Sequence, residues 1–376
     1  MSSDLVPPVP AYQAPVRHRR RRALRWLVPL GAAGVVAVLA SGVLSADAKP
    51  NLPSRTAAQL LAAVSNSKVA GFSGTAVEKA SLGLPELPDL GSSSSTGVLG
   101  MLSGSHTIRV WYAGETKQRI ALLDQLGEQD IFRNGRDLWQ WNSDDRTASH
   151  TTLPAGAAPQ TPQQLPAITP DQAAKQALAM IEPSTTVTTD RAAVVAGRPA
   201  YVLVLTPKDG RSRISSVRIS VDGKTMVPLG VQVFARGSAR AAFDVTYTRF
   251  DDAVPGDDNF NWKPPAGVVP KNVDPDAHPL PGVAAPGSPQ SKAGVSVIGT
   301  GWTSVLKVTG VPTLNSLGKA GGQAGVMLAV LPEVKGSWGT GRLFQSALLT
   351  GLITSDGRAY FGAVDPELLY QAAAAK

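Results

Sequence analysis

Ile131-Phe132-Arg133-Asn134-Gly135-Arg136-Asp137-Leu138-Trp139-Gln140-Trp141 decides how this chain folds. Apolar Ile131-Phe132 and alternating Leu138-Trp139-Gln140-Trp141 flank Asn134-Gly135. That dipeptide suits a tight turn whose central residues both need positive φ, so the stretch predicts a β-hairpin. The same alternation extends to both sides. Lys117 to Leu123 sets Ile120 and Leu122 against Arg119 and Ala121, and His106 to Tyr112 sets Ile108, Val110 and Tyr112 against Thr107, Arg109 and Trp111. Phe72 to Glu78 begins an earlier strand. A second meander runs from Thr185 to Val195, turns at Gly197-Arg198 into Tyr201–Leu205, and continues through Arg213 to Val221, Pro228 to Phe234 and Ala242 to Phe250. Asp222-Gly223 provides another hairpin turn, and Val231, Val233, Phe243, Val245 and Tyr247 recur at period two. Strands joined by tight turns pair antiparallel. Strands with one apolar face make a curved sheet, and that face must be covered.

Few helices are on offer to cover it. Ser54 can cap a helix from about Thr56 to Ser67, with Leu60, Leu61 and Val64 on one face. Asp171 can cap a shorter one carrying Ala174, Leu178 and Ile181 before Pro183. Residues 81–105 mix leucines with Pro85, Pro88 and the run Ser92-Ser93-Ser94-Ser95, and read either as an insertion in a hairpin or as an apolar flap over a pocket. A Pro-, Ala-, Gly- and Ser-rich stretch begins at 264, and residues 269–293 read as a linker. A smaller α+β domain follows over 294–376. It has strands at Val295–Ile298 and Ser304–Val308, a weakly helical stretch at 312–330, an apolar run from Leu343 to Thr354, and a hairpin turn at Asp356-Gly357. Its last helix opens at Asp365-Pro366-Glu367, with Pro at the first helical position.

The N-terminal part sets the compartment. Residues 1–16 are Pro-rich and read as a disordered cytoplasmic tail. Within 17–48, Arg17, Arg19, Arg20, Arg21, Arg22 and Arg25 precede an uncharged apolar run from Trp26 to Leu44. About 20 apolar residues at about 1.5 Å each cross a hydrocarbon layer of about 30 Å. Arginines stay on the cytoplasmic side, so the bulk of the chain is expected outside the cytoplasm, on a single-pass transmembrane anchor. The other fate is cleavage at Ala46-Asp47-Ala48, which releases a secreted chain beginning at Lys49. Six of the 36 Lys+Arg and two of the 28 Asp+Glu lie in residues 1–48, so this segment holds half of the formal net charge of +8. What remains gives no nucleic-acid signature. With no cysteine, disulfides, thiolate metal sites, a cysteine nucleophile and an N-terminal lipid-modified Cys are all excluded.

No catalytic constellation appears. The four histidines, His18, His106, His150 and His278, form no H-x-x-x-H pair or carboxylate–histidine cluster, and each reads as an ordinary surface residue. A Gly-x-Ser-x-Gly elbow and a phosphate loop are both missing from the sequence. Asp251-Asp252 and Asp257-Asp258 read as acidic turns. The expectation is therefore a non-enzyme with neither cofactor nor metal. The aromatics say more: Trp111, Tyr112, Phe132, Trp139 and Trp141 concentrate in the first meander, where they either fill a core or line an apolar cavity.

The order of these features resembles the LolA/RseB-like superfamily, which comprises periplasmic lipoprotein carriers and MucB/RseB-type lipoprotein sensors. The resemblance covers about residues 50–268. It rests on Phe72-Ser73-Gly74-Thr75, Val110-Trp111-Tyr112, Val221-Asp222-Gly223, Pro228-Leu229 and Phe250-Asp251-Asp252. Its most specific piece is the closing Asn259-Phe260-Asn261-Trp262-Lys263-Pro264-Pro265-Ala266-Gly267. Trp338-Gly339-Thr340-Gly341-Arg342 with Leu348-Leu349 is similar, more weakly, to C-terminal domains of the RseB-like branch. The resemblance implies a half-open antiparallel β-barrel with helices on its concave side and an acyl-chain-binding cavity. By strand alternation, Tyr112, Ile120, Leu122, Trp139 and Trp141 from the first meander and Val231, Val233, Phe243 and Val245 from the second are the expected lining. Lipid or lipoprotein acyl chains are the implied ligand. The alternative is an envelope-stress regulator whose small domain binds an anti-sigma-like membrane protein.

Overall fold

A computed structural model of the chain describes residues 52–65, 67–83, 103–123, 127–153, 184–273, 294–311, 313 and 330–375. The expected export segment, residues 84–102 of the stretch read as an insertion or flap, the helix expected at 171–183, most of the expected linker and most of 312–330 lie outside these residues. No helix among the described residues is long and apolar enough to cross a membrane.

Helix α1 (Ala57–Ser65) is capped by Thr56 and not by Ser54. The Thr56 hydroxyl accepts from the Gln59 amide at 3.2 Å, and the Gln59 side chain accepts from the Thr56 amide at 2.9 Å. This reciprocal box satisfies two end donors at once, which a serine two residues earlier cannot do. Twelve strands follow: β1 (Phe72–Ser81), β2 (Ser103–Tyr112), β3 (Lys117–Leu123), β4 (Glu128–Asn134), β5 (Asp137–Asn142), β6 (Thr147–Thr152), β7 (Thr185–Val195), β8 (Arg198–Pro207), β9 (Ile214–Asp222), β10 (Pro228–Ala235), β11 (Ala241–Asp251) and β12 (Lys271–Asn272). They form one sheet in the order β12-β6-β5-β4-β3-β2-β1-β11-β10-β9-β8-β7. Each meander keeps sequence order, and the two join where β1 pairs β11. Every ladder is antiparallel except that of β12, which returns from the stretch read as linker to pair parallel with β6.

The end strands β7 and β12 have no further ladder partner among the described residues, so the sheet is open. Its second half is nevertheless strongly curled: β7 lies against β11, although three strands separate them in the ladder. The curl encloses the main apolar cluster, in which Leu203, Leu205, Ile219 and Val245 are fully buried and which Leu60 and Val64 of α1 complete.

Two turns differ in detail from the expectation. Asn134 pairs Asp137, so the central turn residues are Gly135 and Arg136, with Gly135 at φ 63°. Glycine at the first central position of a two-residue turn absorbs the positive φ alone. Likewise Val195 pairs Arg198, which places Ala196 and Gly197 at the turn, at φ 51° and 74°.

The C-terminal residues form a second, six-stranded sheet from β13 (Val295–Ile298), β14 (Val305–Thr309), β15 (Glu333–Gly336), β16 (Gly339–Gln345), β17 (Thr350–Thr354) and β18 (Arg358–Gly362), in the order β13-β14-β18-β17-β16-β15. Helix α2 (Pro366–Ala374) covers one face, packing Leu369, Ala372 and Ala373 on Leu352, Tyr360 and Val305. Both sheets belong to one compact unit, Pro50–Lys376.

Candidate functional site

Directly paired residues in a ladder share a face. Following the pairs across the large sheet therefore assigns every expected lining residue. Tyr112 pairs Phe72, Val110 pairs Ile120, and Ile108 pairs Leu122. Beyond β1, Glu78 pairs Val245 and Ala80 pairs Phe243, which pair Val231 and Val233 in turn. These residues, with Ile219, Leu203 and α1, make up the inner face. Tyr112, Ile120, Leu122, Val231, Val233, Phe243 and Val245 all belong to its single apolar cluster. Ile120, Leu122, Val231 and Val245 are buried, whereas Tyr112, Val233 and Phe243 are only partly covered. Phe72 anchors the cluster, with its ring 5.3 Å from both Tyr112 and Phe250. Gly74 is required beneath Tyr247, since a Cβ there would lie 2.7 Å from the ring.

Trp139 and Trp141 do not join that lining. Trp139 pairs Phe132 and Trp141 pairs Asp130, while Ile131 pairs Gln140. Phe132 pairs Arg119, which pairs Trp111. Both tryptophans therefore stand on the outer face, a correction that follows from strict alternation once the β4–β5 turn has two residues. They build a different structure there. The Arg119 guanidinium lies 4.6 Å from the Trp111 ring and 4.7 Å from the Phe132 ring. Phe132 stacks on Trp262 at 5.2 Å, Trp262 meets Trp139 at 5.6 Å and Trp141 at 5.7 Å, and Trp139 stacks on His150 at 4.2 Å. The closing segment, whose motif carried the family resemblance, thus straps the outer face through Trp262. Arg119 also donates to Asp130 at 2.8 Å and Glu128 at 3.2 Å. Burial pushes the Asp130 carboxyl up to about 6, against the opposing pull of Arg119.

A cavity of about 510 Å³ lies at this end of the sheet, lined by Gln129, Gln140, Trp141, Asn142, Arg146 and Lys271 among others. None of the seven inner-face residues is in its lining, although Ile131 and Gln129, which are, pair with Ile120 and Leu122.

A buried carboxylate and a histidine pair on the inner face. Glu78 is 1% exposed and accepts from or donates to His106 through Oε2, at 2.8 Å from Nδ1, while its Oε1 has no hydrogen-bond partner. The ladder places no other acidic side chain on this face among the described strands. Burial raises the Glu78 carboxyl above its ordinary range, partly offset by His106. His106 is therefore not the ordinary surface histidine expected from the sequence. A signal for Glu78 existed: Phe72, Gly74, Ala76 and Glu78 fall on one side at period two, which puts a charge where an apolar residue belongs. His150 is likewise engaged, 2.9 Å from Asp137. No group of three or more potential metal ligands occurs among the described residues.

No family model matches the chain, and no curated protein matches it in sequence. Among solved structures it is similar to a chain of the Pseudomonas aeruginosa MucA/MucB complex, at 16% identity and a TM-score of 0.44 over 84% of this chain and 96% of that one. It is similar to MucB solved alone, at 17% identity and 0.40 over 85% and 96%. A LolA superfamily protein from Nitrosomonas europaea aligns at 13% identity and 0.21 over 56% and 99%. These solved structures come from the two groups, MucB and LolA, that the resemblance in the sequence names.

Proposed function

We propose that this protein is an extracytoplasmic binding protein, held at a bacterial cell membrane by residues 17–48, that takes lipid or lipoprotein acyl chains against the inner face of its open sheet. One observation carries the reading: seven apolar side chains from both meanders gather in one cluster, and Tyr112, Val233 and Phe243 within it stay partly uncovered. An apolar face left partly open gains by burying a hydrocarbon, at about 0.8 kcal/mol per CH₂, so a single acyl chain contributes enough to survive purification. The chemistry is binding, with no catalytic step assigned. Organic extraction of the purified full chain followed by mass spectrometry tests this. Lipid is expected in about stoichiometric amount; Phe243→Ala lowers it severalfold, and Trp141→Ala on the outer face leaves it unchanged. Absence of lipid from the wild-type protein refutes the reading.

A second reading has its own support. On the face of the six-stranded sheet opposite α2, Val297 pairs Leu306 and Leu306 pairs Phe361, and these side chains are 63%, 38% and 40% exposed. A contiguous apolar row beside an open edge suits a protein partner. Under this reading the protein is a regulator of a membrane signalling protein, and a photocrosslinker at position 297 forms an adduct with that protein in cells.

A further inference from the structure

The Glu78–His106 pair is poorly explained as a fold-stabilising device. A buried carboxylate ordinarily has both oxygens satisfied, because an unmet acceptor costs its desolvation energy. Here one oxygen is satisfied and the other has no partner. The neighbouring positions on that face are small: Ala76 and Ala80 flank Glu78 along β1, and Gly104 pairs Ala80 across the ladder. A Cβ added at Gly104 would meet nothing within 4 Å, and Gly104 is exposed. Ala80 is 6% exposed and packs with Leu348, so the way in from solvent passes over Gly104 to His106, whose side chain is 13% exposed, and then to Glu78. Phe243, partly covered, pairs Ala80 from the other side. The uncommitted acceptor therefore lies beside His106, one ladder pair in from exposed Gly104, at the border of the apolar interior.

Building on the acyl-chain reading above, we propose that Glu78 and His106 form a head-group subsite that receives the primary ammonium group of an amphiphile whose hydrocarbon lies on the inner face. An ammonium brings three donors and a positive charge. One N–H satisfies Oε1, and the charge is met by the only acidic group the ladder places on this face among the described strands. A charge-assisted bond of this kind is roughly twice as strong as a neutral one. A phosphate or free carboxylate head would face an acceptor of its own kind. A quaternary ammonium has the charge but no N–H to give.

The test is native mass spectrometry of the full chain released from detergent micelles. The probes are dioctanoyl phosphatidylethanolamine, dioctanoyl phosphatidylcholine and dioctanoyl phosphatidylglycerol, which share their acyl chains. The wild-type protein is expected to retain phosphatidylethanolamine at least about tenfold over the other two, a difference of about 1.4 kcal/mol. Glu78→Gln is expected to bind all three alike, with an unchanged far-ultraviolet spectrum. Octylamine against 1-octanol as competitors separates an amine-bearing lipid from any amine: octylamine displacing the bound lipid about tenfold better than octanol supports the subsite without the phosphate. Equal retention of the three lipids by the wild-type protein overturns the subsite and leaves the acyl-chain reading intact. Failure to retain any of them overturns the acyl-chain reading itself. The wild-type preference is readable even if the variant folds poorly.

Discussion

Two buried carboxylates of this chain show how surroundings decide the sign of a charge's contribution. Asp222 is 1% exposed, and its carboxylate accepts from Arg198 at 2.8 and 2.9 Å and from the Thr225 amide and hydroxyl at 2.8 and 2.7 Å. Burial alone would raise its pKa, but the guanidinium and the Thr225 donors outweigh burial and hold it below the ordinary range. A group with a depressed folded pKa contributes stability that is present above its unfolded value, near 3.8, and is lost as pH falls through the lower folded value. Asp222→Ala leaves the partly buried Arg198 without its bidentate partner and is expected to cost roughly 3 kcal/mol at pH 7. In urea titrations at falling pH, the gap to wild type should narrow only below about pH 4. Glu78 has the opposite sign. Its folded pKa is raised, so its contribution is fully present below the unfolded value of 4.5 and declines as pH rises. Glu78→Gln is therefore expected to be more stable than wild type by roughly 1 kcal/mol at pH 7 and indistinguishable from it at pH 4, because it removes the buried negative charge that desolvation disfavours. A Glu78→Gln protein that melts well below wild type at pH 7 would show that the carboxylate stabilises the fold instead.

At the scale of elements, the turns carry most of what was hard to read. Alternation in Lys117–Leu123, His106–Tyr112 and Ala242–Phe250 marked strands that the structure contains. The assignment of Trp139 to a face depended on the hairpin's register, which the aromatic content of the stretch hides. A two-residue turn at Gly135-Arg136 sets Phe132 against Trp139 and Ile131 against Gln140. That arithmetic was available in the sequence and sends both tryptophans outward. By contrast, no local pattern announces that β12 pairs parallel with β6, or that the Asp222-Gly223 turn widens until the Asp222 amide bonds the Val227 carbonyl at 2.9 Å. Both are settled by long-range packing: Leu52 lies where a Cβ on Gly223 would fall, and Trp262 pulls the chain toward β5. The β7–β8 turn offers a test of local strain. Ala196 holds φ 51°, a conformation that costs a non-glycine residue about 1 kcal/mol and that asparagine tolerates better. Ala196→Asn creates an Asn-Gly turn and is expected to raise stability by about 0.5 kcal/mol, read as a higher urea midpoint at unchanged slope.

For the whole molecule, the question is whether the two sheets melt together. Among the described residues, several contacts tie the C-terminal part to the large sheet. The Trp302 indole donates to the Thr185 hydroxyl at 2.6 Å, and its ring, 4% exposed, belongs to the large sheet's apolar cluster. The Ala347 amide donates to the Leu82 carbonyl at 2.6 Å, and Leu348 packs on Ala80 and Leu82 beside Val233 and Phe243, at the rim of the inner face. Arg213 bonds the Ala363 carbonyl at 2.8 Å, and Arg236 bridges to Asp365 at 2.5 Å. A tryptophan from one sheet sunk into the core of the other couples their unfolding, because neither can open without exposing it. The wild-type chain is therefore expected to unfold in one calorimetric transition, with tryptophan fluorescence and circular dichroism reporting the same midpoint. Trp302→Ala removes that anchor at roughly 3–5 kcal/mol and should split the transition in two, the first belonging to the smaller sheet. The same variant bears on binding, since loosening the smaller sheet also loosens Leu348 over Val233 and Phe243. Under the proposed acyl-chain binding, its uptake should be faster and its retention shorter than wild type. A single transition that merely shifts downward would mean that Ala347, Leu348 and the Arg213 and Arg236 contacts hold the sheets together without the tryptophan.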